Sequence, residues 1–319
     1  MARQFVVIFG VVAAAIAAFL LAISAAASTD ARRTSPDTSP DGRPVVLTTF
    51  TVLADMASRV AGDHLQVESI VKPGAEIHGY EPTAQDLTAV SEADLVLENG
   101  MHLEAWFEKF ILVTDAPHVV ISAGVEPITI EGGEYAGVVN PHAWMSPANG
   151  RIYVDNIVAA FIHLDPANAA DYRANAAVYK DELTDIESEL RSALASIEPT
   201  NRVLVTCEGA FSYLTQSVGM DEGYLWPVNS ERQSTPQQVA GVIDLVRERN
   251  VPAVFCESTV SDVAARAIAA ETDARFAGVL YVDSLSAAGG PVPTYLELLR
   301  TDARTIIAGL CGEGAHVRD

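Results

Sequence analysis

Val203-Leu204-Val205-Thr206 is an apolar run that leads into a helical stretch closing near Gly219, and Val46-Leu47-Thr48-Thr49 leads to Gly62 at the same separation. The repetition goes further: Pro82-Thr83-Ala84-Gln85-Asp86-Leu87 has a partner in Thr235-Pro236-Gln237-Gln238-Val239, each ahead of a helix and then a strand, over residues 93–97 and 252–256. Around these words the pattern is strand, loop, helix. Residues 45–48 read as a strand, 52–60 as a helix ending at Gly62, where glycine suits the cap, 67–71 as a strand stopped by Lys72-Pro73-Gly74, and 83–91 as a helix. Strands alternating with helices predict an α/β fold with mainly parallel sheets. The recurrence of the plan predicts two similar lobes.

Between the halves, residues 166–197 carry a helical apolar period through Tyr172, Ala176, Tyr179, Leu183, Ile186 and Leu190, bounded by Pro166 and Pro199. One helix there would be roughly 45 Å long if straight, a stiff connector rather than a pair of flexible strands. The expected organisation is a signal peptide or anchor over 1–28, a flexible tether over 29–43, an N-terminal lobe over 44–165, a connector over 166–198 and a C-terminal lobe over 199–319.

The chain has 319 residues, 49% of them apolar, and a formal charge of −22. That length can bury two domain-sized cores. The acidic balance argues against nucleic acid as a partner and draws cations towards the surface. Arg3 precedes an apolar run from Phe5 to Ala27 that ends in the small residues Ala25-Ala26-Ala27-Ser28. The run reads as a secretory leader, and its length also permits an uncleaved anchor; either places the remainder outside the cytoplasm. No cysteine stands at its end for lipid attachment. The stretch 29–43, rich in Ser, Thr, Pro, Asp and Arg, has no apolar period.

Open α/β sheets bind ligands outside the carboxyl ends of their strands, and two lobes on a connector leave a cleft between them. Four residues stand out in such loops: His78, His142 in Asn140-Pro141-His142-Ala143-Trp144-Met145, Glu208 after Val203-Leu204-Val205-Thr206-Cys207, and Asp283 after Val279-Leu280-Tyr281-Val282. The first lobe offers imidazoles and the second carboxylates, a mixed set that favours Mn²⁺, Fe²⁺ or Zn²⁺ over copper or calcium. Their spacing matches no local zinc-finger, EF-hand or HExxH pattern. Trp106, Trp144 and Trp226 read as packing residues, and His64, His102, His118, His163 and His316 as surface or structural ones.

His78-Gly79-Tyr80-Glu81-Pro82-Thr83, Asn99-Gly100-Met101-His102-Leu103-Glu104-Ala105-Trp106, Pro141-His142-Ala143-Trp144-Met145 and Glu208-Gly209-Ala210-Phe211-Ser212-Tyr213 together resemble the blocks of the manganese/zinc/iron substrate-binding proteins of metal ABC importers. So do Ser234-Thr235-Pro236, Val251-Pro252-Ala253-Val254-Phe255-Cys256-Glu257-Ser258, Asp283-Ser284-Leu285-Ser286 and Tyr295-Leu296-Glu297-Leu298-Leu299-Arg300, so the likeness spans about residues 45–310. The resemblance implies two lobes on one long helix, metal held by His78, His142, Glu208 and Asp283, and delivery to the transmembrane permease of an ABC importer by a monomeric receptor. Glutamate at the third position resembles the manganese-type branch, as does the absence of histidine from residues 127–139, which carry Glu131 and Glu134. Mn²⁺ is therefore the expected cargo, with Zn²⁺ and Fe²⁺ as alternatives. Asn140 stands where the family often has aspartate, which puts the support of His142 in question.

A metal-dependent hydrolase is the rival class, with Glu257 as its only spare acid. No nucleophile elbow, P-loop or dinucleotide fingerprint accompanies it, and a surface adhesin role would be secondary to metal binding. Cys207 and Cys256 each end an apolar strand and precede a glutamate. If those strands are neighbours in one parallel sheet, the two thiols lie within disulfide reach in an oxidising compartment, leaving Cys311 free. The alternative is a pair of buried free thiols.

Overall fold

The computed structural model describes residues 42–111, 114, 116–131, 135–228 and 234–311. The leader, most of the tether, Glu134 and His316 lie outside these residues. No helix among the described residues is long and apolar enough to cross a membrane.

The first lobe is built on β1 (Val45–Thr48), β2 (Gln66–Ser69), β3 (Leu95–Glu98) and β4 (His118–Val120), all parallel in the order β2-β1-β3-β4. Helix α1 (Thr51–Ala61) follows β1 and buries Val52, Leu53, Met56, Ala57 and Val60, the spacing of a single helical face. It stops at Gly62, whose φ of +57° is open to glycine and whose N–H bonds Ser58 O. Helix α2 (Ala84–Glu92) starts from a capping box in which Thr83 and Asp86 satisfy each other's backbone N–H, and α3 (Glu108–Ile111) is a single turn.

Helix α4 (Pro147–Leu164) and the connector α5 (Ala169–Leu194) come next. The connector has 26 residues, about 39 Å at 1.5 Å per residue, because Pro166–Asn168 forms a separate 3₁₀ turn instead of extending the helix. All six residues of its apolar period are buried, together with Leu194. They lie along α4, where Phe161 and Tyr172 meet at 5.5 Å, and against α1. Each such aliphatic or aromatic side chain contributes about 1.5–3 kcal/mol on burial. The connector is thus a packed element of the core, and the sequence reading passed over its partner α4.

The second lobe carries β5 (Val203–Glu208), α6 (Ser212–Val218), β6 (Asp221–Trp226), α7 (Pro236–Glu248), β7 (Ala253–Glu257), α8 (Val263–Glu271), β8 (Arg275–Leu280) and the closing helix α9 (Tyr295–Cys311). Helix α7 begins with a second capping box, Thr235 with Gln238, so the paired words of the two halves do the same physical job. The strands pair in parallel as β5-β6 and β7-β8, two two-stranded sheets rather than one. β5 and β7 nevertheless lie side by side, with Cys207 and Cys256 disulfide-bonded at a Cα separation of 4.9 Å. At the ends of these two strands Glu208 N–H donates to the Glu257 side chain at 3.1 Å. Cys311 is free.

Candidate metal centre

The four residues singled out in the sequence converge in the cleft between the lobes, one potential donor atom from each lying within 4.8 Å of the others. His78 Nε2 is 3.1 Å from His142 Nε2 and 3.5 Å from Glu208 Oε1, while His142 Nε2 is 3.6 Å from both Glu208 Oε1 and Asp283 Oδ1. Their side chains are at most 3% exposed.

Each donor is presented by a loop or strand end whose backbone is held. The Glu76 carboxylate accepts the N–H groups of His78 and Gly79, both at 2.7 Å, which bends the loop so that the imidazole faces inwards. Trp106 Nε1–H bonds Ile77 O at 3.0 Å behind it. His142 opens a 3₁₀ turn (Ala143–Met145), and Asn140 Oδ1 accepts both its N–H at 3.1 Å and its Nδ1–H at 2.9 Å. The amide oxygen therefore supplies what an aspartate oxygen would, which answers the question the sequence left over His142. Asn99 Nδ2 donates to Pro141 O at 3.1 Å, and Glu104 in turn accepts Asn99 N–H at 2.7 Å and the Thr49 hydroxyl at 2.8 Å. The Asn99-to-Trp106 word is thus a brace for the His142 loop.

Glu208 is the last residue of β5, fixed on one side by the disulfide at Cys207 and on the other by Gly209 N–H donating to Trp226 O at 2.9 Å. Asp283 lies three residues beyond β8, where Trp144 Nε1–H bonds Val282 O at 3.1 Å and Gly74 N–H donates to the Ser284 hydroxyl at 2.7 Å. Both bonds cross between the lobes. Trp144 is completely buried, with its ring 5.2 Å from that of His142, so its reading as a packing residue holds, and it also walls the site. Trp106 and Trp226 are buried as well.

Burial dominates the electrostatics. It lowers the His78 pKa, against a smaller opposing pull from Glu76, and it lowers that of His142 well below the ordinary value, with the neighbouring His78 adding to the effect. Both rings are therefore neutral near pH 7, the state in which imidazole coordinates a metal. Burial pushes Asp283 up to about 8, the Glu76 charge adding to it, and Asp283 Oδ1 has no hydrogen-bond partner among the described residues. A carboxylate buried without a donor is costly unless a cation compensates it. Two neutral nitrogens and two carboxylates supply a charge of −2 and four donors of mixed hardness, a match for a divalent first-row ion.

Glu76 and Glu257 are residues whose roles the sequence reading did not identify. Glu257 is fully buried, which pushes it up to about 8, and its contact with Glu208 N–H makes it a support for that loop rather than the base of a hydrolase. The signal for Glu76 was its position two residues before His78, where an acidic side chain reaches the backbone N–H groups ahead of it.

The family model for the periplasmic component A of the zinc-uptake complex matches residues 46–309. The iron-binding protein YfeA of Yersinia pestis is 51% identical over 265 residues, 83% of this chain and 85% of that protein. The manganese ABC transporter substrate-binding lipoprotein PsaA of Streptococcus pneumoniae is 33% identical over 273 residues, 83% of this chain and 88% of that protein. The Mn-bound periplasmic metal-binding protein of Candidatus Liberibacter asiaticus superposes with a TM-score of 0.79 at 37% identity, covering 84% of this chain and all of that one. Two lobes on a connector helix, a cage of nitrogen and oxygen donors in the cleft and these matches along most of the chain give one conclusion: the protein belongs to the family of extracytoplasmic metal-binding receptors that serve ABC importers.

Proposed function

We propose that the cargo is Mn²⁺, held by His78, His142, Glu208 and Asp283 and released to the permease of the importer by a receptor that acts as a monomer. The observation that carries the reading is the convergence of two buried neutral imidazoles and two buried carboxylates on one point, with no cationic side chain among them. Glutamate in the third place makes the donor set harder than one with three imidazoles, which favours Mn²⁺ relative to Zn²⁺. The name of PsaA and the Mn-bound Liberibacter structure support the same choice, while the name of YfeA keeps Fe²⁺ as an alternative. Because intrinsic affinities run in favour of zinc, selectivity has to come from the geometry of the cage.

The test is competitive loading of the metal-free protein with equal Mn²⁺, Fe²⁺ and Zn²⁺ under anaerobic conditions, followed by elemental analysis. One equivalent of metal in total, with manganese at least equal to zinc, is the expected result; exclusive occupancy by zinc would overturn the choice of manganese. Glu208→His should move the ratio towards zinc, since it adds imidazole to a set able to become tetrahedral. An unchanged ratio would show that hardness at this position does not set the preference.

Mn²⁺ affinity should also rise with pH. Asp283 must lose its proton to coordinate, and its pKa of about 8 in the metal-free protein means that binding at lower pH releases that proton. The imidazoles do not compete in this range, because their pKa values are lowered. The association constant should fall as the pH drops below about 8, as release of the Asp283 proton requires, and level off above it. Isothermal titration in buffers of different ionisation enthalpy reads the proton directly; a flat affinity from pH 6 to 8 contradicts the assignment.

A further inference from the structure

Asn140 uses its whole amide. Its Oδ1 receives the His142 backbone N–H and Nδ1–H, and its Nδ2 donates across the cleft to Gly209 O at 2.6 Å and to the Ser212 hydroxyl at 3.1 Å. The orientation of the amide is fixed by its partners: a backbone N–H can only donate and a carbonyl can only accept, so a flipped amide would oppose like groups at both ends. The Ser212 hydroxyl is oriented in turn, since it donates to Glu222 Oε2 at 2.5 Å while Glu222 Oε1 accepts Phe211 N–H at 3.0 Å. Asn140 is 2% exposed, and its own backbone is clamped by Ile128 O and by the Tyr213 hydroxyl, which donates to Asn140 O at 2.8 Å.

Two consequences meet in this side chain. An oxygen that can only accept makes Nδ1 the protonated nitrogen of His142, which leaves the lone pair on Nε2 facing Glu208 and Asp283. The residue that accepts the cross-cleft bond, Gly209, directly follows Glu208. A single buried amide therefore ties a donor of the first lobe to a donor of the second.

We propose that Asn140 is a cross-cleft positioning residue: it sets the tautomer of His142 and, through Gly209, holds Glu208 against that imidazole, so that metal retention depends on the closed cleft. Aspartate in its place could orient the imidazole but could not donate to Gly209 O. The proposal rests on His142 and Glu208 being ligands, and its test separates the two readings.

The tautomer of His142 is read from ¹⁵N-histidine spectra of the metal-free protein, and Mn²⁺ release from a chelator chase. The parent should show Nδ1 protonated and Nε2 bare. Asn140→Ala should give a mixture of tautomers and release Mn²⁺ about 10- to 100-fold faster, the usual effect of losing a partner behind a ligating histidine. Asn140→Asp should keep the parent tautomer, because the two N–H donors still meet an oxygen, yet release Mn²⁺ faster than the parent as its second oxygen meets Gly209 O. A carboxylate behind the imidazole strengthens the ligand, so faster release from this variant isolates the cross-cleft bond. The parent tautomer in Asn140→Ala, or parent-like release from Asn140→Asp, would overturn the proposal. Failure of the parent to bind Mn²⁺ would overturn the function instead, with the tautomer still readable; if Asn140→Ala does not fold, the nearly isosteric Asn140→Asp carries the release test.

Discussion

Asp283→Ala and Glu208→Ala should each weaken Mn²⁺ binding by at least about 100-fold, some 2.7 kcal/mol, while Glu131→Ala stays within about twofold of the parent. The asymmetry follows from burial. Asp283 and Glu208 are closed off from water beside both imidazoles, so removing either leaves the cation short of a donor and of half its neutralising charge, with no solvent to substitute. Glu131 is exposed and outside the cage, so its charge reaches the ion only through water. The metal-free proteins should behave in the opposite sense. Asp283 Oδ1 is buried with no hydrogen-bond partner among the described residues, so removing that carboxyl relieves an uncompensated polar group. The metal-free Asp283→Ala protein should melt at or above the parent temperature, yet lose most of the rise in Tm that Mn²⁺ gives the parent. Calorimetry with and without Mn²⁺ measures both. Parent-like affinity in both carboxylate variants would remove these residues from the site.

What could be read from the sequence depended on how local the cause was. The two capping boxes are written in four consecutive residues each, and Thr83 with Asp86 and Thr235 with Gln238 could be matched before any fold was known. The connector was legible for the same reason, since its seven buried side chains all lie on one helical period. Helix α4 carries buried Tyr153, Val154, Ile157 and Phe161 behind Pro147 at its first position, a signal as local as the connector's. The four cleft residues were visible as types in loops after strands, though nothing in their spacing could say that they meet: His78 and Asp283 are brought together by the docking of two lobes. The supports of the site were the least legible. Asn140 shows in the sequence only as a departure from the family's aspartate, and its donations to Gly209 and Ser212 appear when the other lobe arrives; Glu257 reads as a spare acid until β7 comes to lie beside β5 and brings it to Glu208 N–H.

Reduction of Cys207–Cys256 should destabilise the protein by about 4 kcal/mol and loosen the metal site along with the fold. The bridge closes a loop with a sequence separation of 49 residues, and the chain-entropy cost of leaving such a loop open in the unfolded state gives that figure. Position makes the effect more than a matter of the unfolded chain. β5 and β7 share no backbone ladder, so the disulfide and the Glu208–Glu257 contact are the links beside the carboxylate that reaches the cleft. Around the bridge a separate apolar cluster forms, with Val205, Val254, Val242 and Ile268, so two thiols fill nearly the same space and the reduced protein can still fold. In it, the covalent tie next to Glu208 would be gone while its pairing with β6 and its hydrogen bond to Glu257 remain, and its carboxylate would sample positions away from the imidazoles more often. Denaturant unfolding with and without reductant should therefore show a lower midpoint, with a steeper slope because the uncrosslinked denatured chain exposes more surface, and Mn²⁺ affinity measured in the same two states should fall by about tenfold, within the range found when the support behind a ligand is lost. Thiol counting under denaturing, non-reducing conditions should find one free cysteine, mapped to Cys311. Three free thiols in protein taken from its own compartment would refute the bridge. Equal Mn²⁺ affinity before and after reduction would leave the bridge as a fold staple and detach it from the metal site.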